Sequence, residues 1–360
     1  GTPEEYTAWD VSSVTNMRGM FTRAYAFDQD IGNWDVSNVT DMRTMFRFAE
    51  AFNQDIGNWD VSNVTDMSAM LQYTEVFDQN IENWDVSSVT DMGGLFFRAE
   101  AFNQNIGEWN VSNVTDMGSM FSEAEVFNQD ISTKTINEGT PEEYTAWDVS
   151  SVRNMRNIFA GAEAFDQDIS AWDVSSLFEV NGMKGMFDNS GLSINNYDRI
   201  LIGWGGRDIV EGRTLGASGI EYCNSGPIRT HLIESYELTI EGDTQATDCP
   251  SDLLVGSGFA NVSEDGFVTL GNTDVRVNFV DVIGSGRVTA VRFNDIPRNV
   301  SGIGEDNISP YRLVIVEGPE GPSFSPDLIF SDATEVRFDA DAFGGVDAPG
   351  DITVYSRPIP

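Results

Sequence analysis

Histidine and cysteine are almost absent from this sequence. One His and two Cys in 360 residues leave too few ligands for a His/Cys zinc site or an iron–sulfur cluster. A Ser-His-Asp triad would have only His231 to use. Cationic side chains are scarce too: 20 Lys plus Arg stand against 58 Asp plus Glu, a formal net charge of -38. Such a surface repels nucleic-acid phosphates and anionic membranes. It favours cations and a salty or calcium-rich medium. No apolar run of about 18 residues occurs, so no transmembrane helix is expected. No signal peptide is present, and the chain opens on Gly1 rather than Met, so an upstream segment is expected to have been removed. Hydrophobic residues make up 40% of the chain and charged ones 22%, enough for a packed core. The length fits about two or three domains.

What the sequence does have is repetition. Trp9, Trp34, Trp59, Trp84 and Trp109 each follow the last by 25 residues, and Trp147 and Trp172 continue the series after a 13-residue insertion over 134–146. The unit reads WDVSNVTDM, then a Met-Phe pair, an Ala, and FNQDI. Seven copies fill residues 1–191. Gly1–Val14 is identical to Gly139–Val152, the mark of an internal duplication. Apolar residues hold fixed offsets from Trp: Val11 and its equivalents at plus two, Val14 at plus five, Met17 at plus eight, Phe27 at plus eighteen. Trp-x-Val alternates like a strand, with both side chains on one face. The Thr-Asp before Met is placed to cap a short helix carrying Met, Met-Phe and Ala.

These offsets predict a solenoid, with one short strand and one short helical turn in each 25-residue coil. A single coil cannot bury its apolar face, whereas stacked coils share a continuous core of Trp, Val, Met, Phe and Ile. The strict register of the Met columns reads as packing rather than a binding surface. A solenoid needs end caps. Residues 192–249, with a helical Tyr197, Ile200, Leu201, Trp204 spacing, are expected to form the C-terminal cap. GTPEEYTA is either the whole N-terminal cap or the start of a fragment. Residues 250–360 lack Met and carry the strand-like runs VRVNFV, RVTAVRF, YRLVIV, EVRF and ITVYS between turn residues. They are expected to form an all-β antiparallel sandwich. The fold class is thus an α/β leucine-rich-repeat-like solenoid with a C-terminal cap, followed by a sandwich.

The WDVSNVTDM…MF…A…FNQDI unit resembles the BspA-type leucine-rich repeat family of bacterial surface proteins, from Trp9 to about Cys249. The stretch LSINNYDRILIGW…LGASGIEYCNS resembles the segment that closes such arrays. NVSGIGEDNISPYRLVI and ITVYSRP resemble a module of surface proteins exported by type IX secretion in Gram-negative bacteria. The resemblance implies export, display on the outer cell surface or secretion, and for some members adhesion. In an exported chain Cys223 and Cys249 are expected to pair. The bridge would close a separation of 26 residues, contribute about 3 kcal/mol on the loop-entropy model, and fasten the YELTI strand to the end of the array.

The residue after each Trp forms an acidic row: Asp10, Asp35, Asp60, Asp85, Asn110, Asp148 and Asp173. Ser12, Ser37, Ser62, Ser87 and their equivalents follow two positions later. In a parallel stack, neighbouring carboxylates would lie about 4.8 Å apart and repel by roughly 1 kcal/mol in water. Three accounts compete: local hydrogen bonding, cation binding, or a polar face for a ligand. The NQD triplets form a second acidic band, in which Asp30, Asp55, Asp130 and Asp168 are candidate calcium ligands. Asn and Asp interchange there, which fits turn formation better. Calcium is the one cofactor this pattern leaves open. Paired carboxylates at glycosidase spacing recur in every coil, so that spacing discriminates nothing. His231, in RTHLIES, is expected at the surface or half-buried on a cap helix. The insertion at 134–146 is either a partner-binding loop or a scar of the duplication. Asn38, Asn63 and Asn113 sit in Asn-x-Ser/Thr triplets that belong to the repeat. No catalytic residues are assigned. The chain is expected to be a non-enzymatic surface or secreted binding protein, an adhesin segment contacting an extracellular polysaccharide or a surface or matrix protein. The alternative is a structural spacer or filament component that meets other surface-assembly subunits.

Overall fold

A computed structural model describes residues 9–249, apart from Gly206, Asp208 and Asn224, and beyond them the backbone of eight strands. The chain divides into two units. One comprises Gly1–Ile200, Asp208–Glu221 and Ile233–Thr244, and the other Leu201–Arg207, Tyr222–Leu232 and Gln245–Pro360.

In the first unit, adjacent repeats bond directly to each other. The amides of Met17, Gly19, Phe21 and Arg23 donate to the carbonyls of Asp41, Arg43, Met45 and Arg47, at 2.7–2.9 Å. The amides between them turn inward along their own repeat: Met20 donates to Met17, Thr22 to Gly19, and Ala24 to Phe21. The same alternation recurs in the following repeats. Parallel bridges join Asn16, Asp41, Asp66, Asp91, Asp116 and Asn154 in one line. The TDM segment and the residues after it therefore carry the repeat-to-repeat ladder.

This differs from the expected strand at Trp-x-Val and helical turn after it. Among residues 9–133 neither a regular strand nor a helix occurs. The cause is local. Each Asp after Trp accepts the amide two residues on, and Val14 donates to Val11 at 2.8 Å, so WDVSSV closes into a turn. The segment after TDM is a run of three-residue turns whose free amides point to the next repeat. Such a chain cannot coil into an α-helix, because every second amide is already committed across the ladder. The turns need left-handed residues, found at Thr44, Ala69, Gly94 and Ser119 and again at Arg23, Phe48, Tyr73 and Arg98.

The apolar columns line up behind the ladder. Val61, Met67, Phe77, Val86, Met92, Phe102, Val111 and Met117 are all buried. Phe52, Phe77, Phe102 and Phe127 stack in series with centroids 5.9–6.2 Å apart. The indole N–H of Trp59, Trp84, Trp109, Trp147 and Trp172 reaches back to the Ile carbonyl that closes the repeat before last, for example Trp84 to Ile56 at 3.1 Å. Each large ring thus fixes register as well as filling space.

The insertion forms a hairpin of β1 (Lys134–Ile136) and β2 (Tyr144–Ala146), with Lys134 opposite Ala146. Trp147 donates its amide to Trp109, and Arg153 to Thr115, so the repeats on either side of the hairpin bond directly. Beyond the repeats come α1 (Ile194–Gly205), β3 (Thr214–Gly216), β4 (Glu221–Tyr222), α2 (Gly226–Ser235), β5 (Thr239–Glu241) and β6 (Thr244–Gln245). Ser193 begins α1, its hydroxyl accepting the Asn196 amide at 3.3 Å. Tyr197, Ile200, Leu201 and Trp204 form the buried stripe of that helix. β5 lies parallel to β3.

In the second unit, Cys223 and Cys249 form a disulfide with Cα atoms 5.7 Å apart. The later strands are β7 (Leu254–Val262), β8 (Gly266–Thr269), β9 (Arg276–Phe279), β10 (Gly286–Phe293), β11 (Tyr311–Gly318), β12 (Gly321–Ser323), β13 (Val336–Phe338) and β14 (Ile352–Tyr355). They make two four-stranded sheets, ordered β12-β11-β10-β7 and β13-β14-β9-β8, with antiparallel pairing. The loops and side chains of residues 250–360 lie outside the described residues.

Candidate functional site

The ladder fixes the outward rows. In the row after Trp, Asp10, Asp35, Asp60 and Asp85 are exposed, while Asp148 and Asp173 are half-buried. Each accepts the amide of the Ser two positions on, at 3.0–3.1 Å. Ser12, Ser37 and Ser62 add their hydroxyls to the same oxygen, at 2.6–2.7 Å. Asn110 makes the same pair of bonds with Ser112. The Ser hydroxyl, and after it the Ser amide, holds Asp10 and Asp35 below the ordinary carboxylate range. These carboxylates stay charged, with one oxygen engaged by the turn.

The second band splits into two roles. Asp30, Asp55, Asp130 and Asp168 each accept the amide two residues on, at Gly32, Gly57, Ser132 and Ser170. Burial acts upward on Asp130, but the Ser132 hydroxyl and amide and the Lys134 ammonium outweigh it and hold the group low. Lys134 lies 3.6 Å from Asp130, and Arg199 3.5 Å from Asp168. Among the described residues no three His, Cys, Asp or Glu side chains converge as a metal site. The first members of the triplets lock repeats together: Asp28 takes the Asn53 amide at 3.0 Å and the Gln54 side-chain amide at 2.8 Å.

A third row, read in the sequence only as a helix cap, lies on the ladder itself. Asp41 accepts from the Asn16 side chain at 3.0 Å, Asp66 from the Ser68 hydroxyl at 2.5 Å, and Asp116 from Asn154 at 3.1 and 3.2 Å. Asp91 takes only the Gly93 amide, at 2.9 Å. Burial, then its acidic neighbours Asp66 and Asp116, push Asp91 up. Its signal in the sequence is the recurrence of Asp or Asn before the Met in the first six repeats. An open cavity of about 380 Å³ lies over this stretch, bordered by Arg43, Asp91, Asp116 and Arg156.

Asn38, Asn63 and Asn113 donate their side-chain amides to Ser12, Ser37 and Ser87 of the preceding repeat, each at 2.8 Å. They are structural. His231 is buried in α2, with 1% of its surface exposed, rather than at the surface. Its neighbours Ile228 and Leu232 are buried as well, so the helix places it in the interior. In the insertion hairpin the Tyr144 hydroxyl donates to the Glu108 carbonyl at 2.7 Å.

A family model described as "Mycoplasma protein of unknown function, DUF285" matches residues 2–86, 55–145 and 133–199. Those three overlapping stretches cover more than half of the chain, which therefore belongs to that family of repeat proteins. No curated protein and no solved structure matches it. No helix among the described residues is long and apolar enough to cross a membrane.

Proposed function

We propose that this chain is a segment of a non-enzymatic binding protein, secreted or displayed on the outer surface of a Gram-negative cell. In this reading the repeats form a leucine-rich-repeat-like solenoid of the BspA type, and residues 250–360 a β-sandwich of a type IX-exported module. The scaffold works as an adhesin segment for an extracellular polysaccharide or a surface or matrix protein. One observation carries it: Asp10, Asp35, Asp60 and Asp85 present the same charged, turn-anchored carboxylate on successive repeats. A ligand that repeats too would meet identical weak contacts in register, and linked weak contacts give avidity.

The test is capture by an array of immobilised polysaccharides and matrix proteins, comparing the chain with Asp60→Asn/Asp85→Asn. Asn110 already holds this turn with an amide, so the variant removes charge and keeps the fold. Loss of capture at an unchanged melting midpoint supports the reading. Equal capture by both proteins rejects the Asp row as the binding face. The complete use of one oxygen of each Asp by its own turn also suits a spacer. A spacer captures nothing on the array and meets partners only at its ends or through residues 250–360.

A further inference from the structure

A different face breaks the repeat. Residues 9–133 contain five cationic side chains: Arg18, Arg23, Arg43, Arg47 and Arg98. All stand nine, thirteen or fourteen residues after their Trp, on the arc that follows TDM. The ladder brings the last two of these columns edge to edge. Arg23 donates its amide to Arg47, Phe48 to Gln72, Tyr73 to Phe97, and Arg98 to Ser122, at 2.7–3.0 Å. The columns change character along the array. Repeats two to four place Phe48, Tyr73 and Phe97 there, whereas later repeats carry Glu123, Ala160 and Gly161. The Val, Met and Phe columns at plus two, plus eight and plus eighteen stay constant through these repeats.

The aromatic side chains are held together and hold the cations. Phe48 stacks on Tyr73 with centroids 4.3 Å apart, and Phe97 meets Tyr73 edge-on at 5.2 Å. The Arg47 guanidinium lies 5.0 Å from the Phe48 ring centre, and that of Arg98 5.3 Å from Tyr73. Phe48 and Tyr73 occupy a left-handed position, with φ of 61° and 59°, where the sixth and seventh repeats use Gly161 and Asn189. Bulky residues adopt that conformation at a cost. The rings remain half-exposed, and Arg18, Arg23 and Arg43 are exposed. Arg98 pairs with Glu123. Among the described residues Arg18, Arg23, Arg43 and Arg47 have no carboxylate within 4.0 Å. On a chain of net charge -38, four neighbouring arginines with no ion pair among the described residues are the opposite of what surface pairing would produce; Arg43 only lowers Asp91 from a distance.

We propose that the strip formed by Arg18, Arg23, Arg43, Arg47, Phe48 and Tyr73 docks an acidic polysaccharide. Guanidinium groups bind carboxylate or sulfate through paired N–H donors. Ring edges and the apolar stems of the arginines cover the C–H faces of the sugars. The arginines recur on successive repeats, and strand-like neighbours lie about 4.8 Å apart, a step comparable with one sugar of a linear chain. Nucleic-acid bases are disfavoured because Phe48 and Tyr73 cover each other and carry the guanidinium groups above them, so no bare ring face remains for stacking. Acidic rows border the strip, with Asp41, Asp66 and Asp91 on one side and Glu50, Glu75 and Glu100 on the other. They restrict an anionic chain to the strip, and the attraction is confined to within a Debye length of about 8 Å in physiological salt.

The test is titration of the full chain with polygalacturonate, dextran sulfate, neutral dextran and a single-stranded DNA oligonucleotide. The proposal expects saturable binding to polygalacturonate or dextran sulfate, which separate carboxylate from sulfate recognition, and none to neutral dextran. Arg43→Glu/Arg47→Glu weakens it at least tenfold, and high salt abolishes it. Arg18→Glu/Arg23→Glu, on the exposed first repeat, gives an independent loss should the first pair disturb folding. Asp60→Asn/Asp85→Asn does not weaken this binding, since it removes only negative charge, whereas the Asp-row reading expects a loss. The proposal is overturned if neither acidic polymer binds, if both arginine variants bind as well as the parent, or if neutral dextran or DNA binds equally.

Discussion

Asp91 is the carboxylate whose environment its sequence position conceals. The first six repeats have Asp or Asn there, yet Asp91 is the one carboxylate of the row that accepts no side-chain donor among the bonds of the described residues, and burial raises its pKa. The folded state therefore holds its proton more tightly than the unfolded chain. The penalty is absent at low pH, grows as pH rises through the ordinary carboxylate value of about 4, and persists above it. Asp91→Asn keeps an acceptor for the Gly93 amide and removes the charge. Its melting midpoint should exceed that of the parent at neutral pH, with the difference closing at about pH 3. A lower midpoint at neutral pH contradicts the assignment. The tryptophans give a second contrast. Trp109 is 1% exposed and bonds Ile81 at 3.3 Å, while Trp9 is 71% exposed. Trp109→Ala should cost about 3–5 kcal/mol in denaturant unfolding, and Trp9→Ala a small fraction of that. Equal losses would mean that the columns do not form a shared interior.

At the scale of elements, the sequence made the 25-residue period and the buried columns plain, because identical spacing leaves one way to bury Trp, Val, Met and Phe together. It misplaced the ladder. Trp-x-Val alternates as a strand does, but the Asp-Ser turn closes it. TDM looks like a helix cap, but its Met amide donates to the next repeat and its Thr amide to the one before. The Asp-Ser turns are legible in the sequence as one of three accounts of the acidic row, since Asp and Ser two apart commonly bond this way. The arginine–aromatic strip is not legible there, because it departs from the repeat consensus. The hairpin of 134–146 offers a sharp test of the ladder. Deleting Lys134–Ala146 joins Thr133 to Trp147 and restores the 25-residue step. Trp147 already bonds Trp109 across the hairpin, so the shortened chain should melt cooperatively within a few degrees of the parent. A broad or absent transition would show that the hairpin, rather than the ladder, holds the sixth repeat.

For the whole molecule, the charge of -38 sets the terms of binding. Calcium requires six to eight oxygens, whereas each Asp in the outward rows has one oxygen engaged by its own turn and converges with no second pair among the described residues. A thermal melt at fixed ionic strength should give the same midpoint in millimolar calcium as in chelator. A marked rise would place cations in the acidic rows. The claim that the Asp row is a ligand face, with strength drawn from repetition, is tested most directly by graded neutralisation. Apparent affinity for a captured polysaccharide or matrix protein is measured for the parent, Asp60→Asn, Asp60→Asn/Asp85→Asn, and the triple variant with Asp35→Asn. Avidity predicts a stepwise fall with each charge removed, at constant melting midpoint. A flat series, or no capture by the parent at all, contradicts it and leaves the repeats as a spacer.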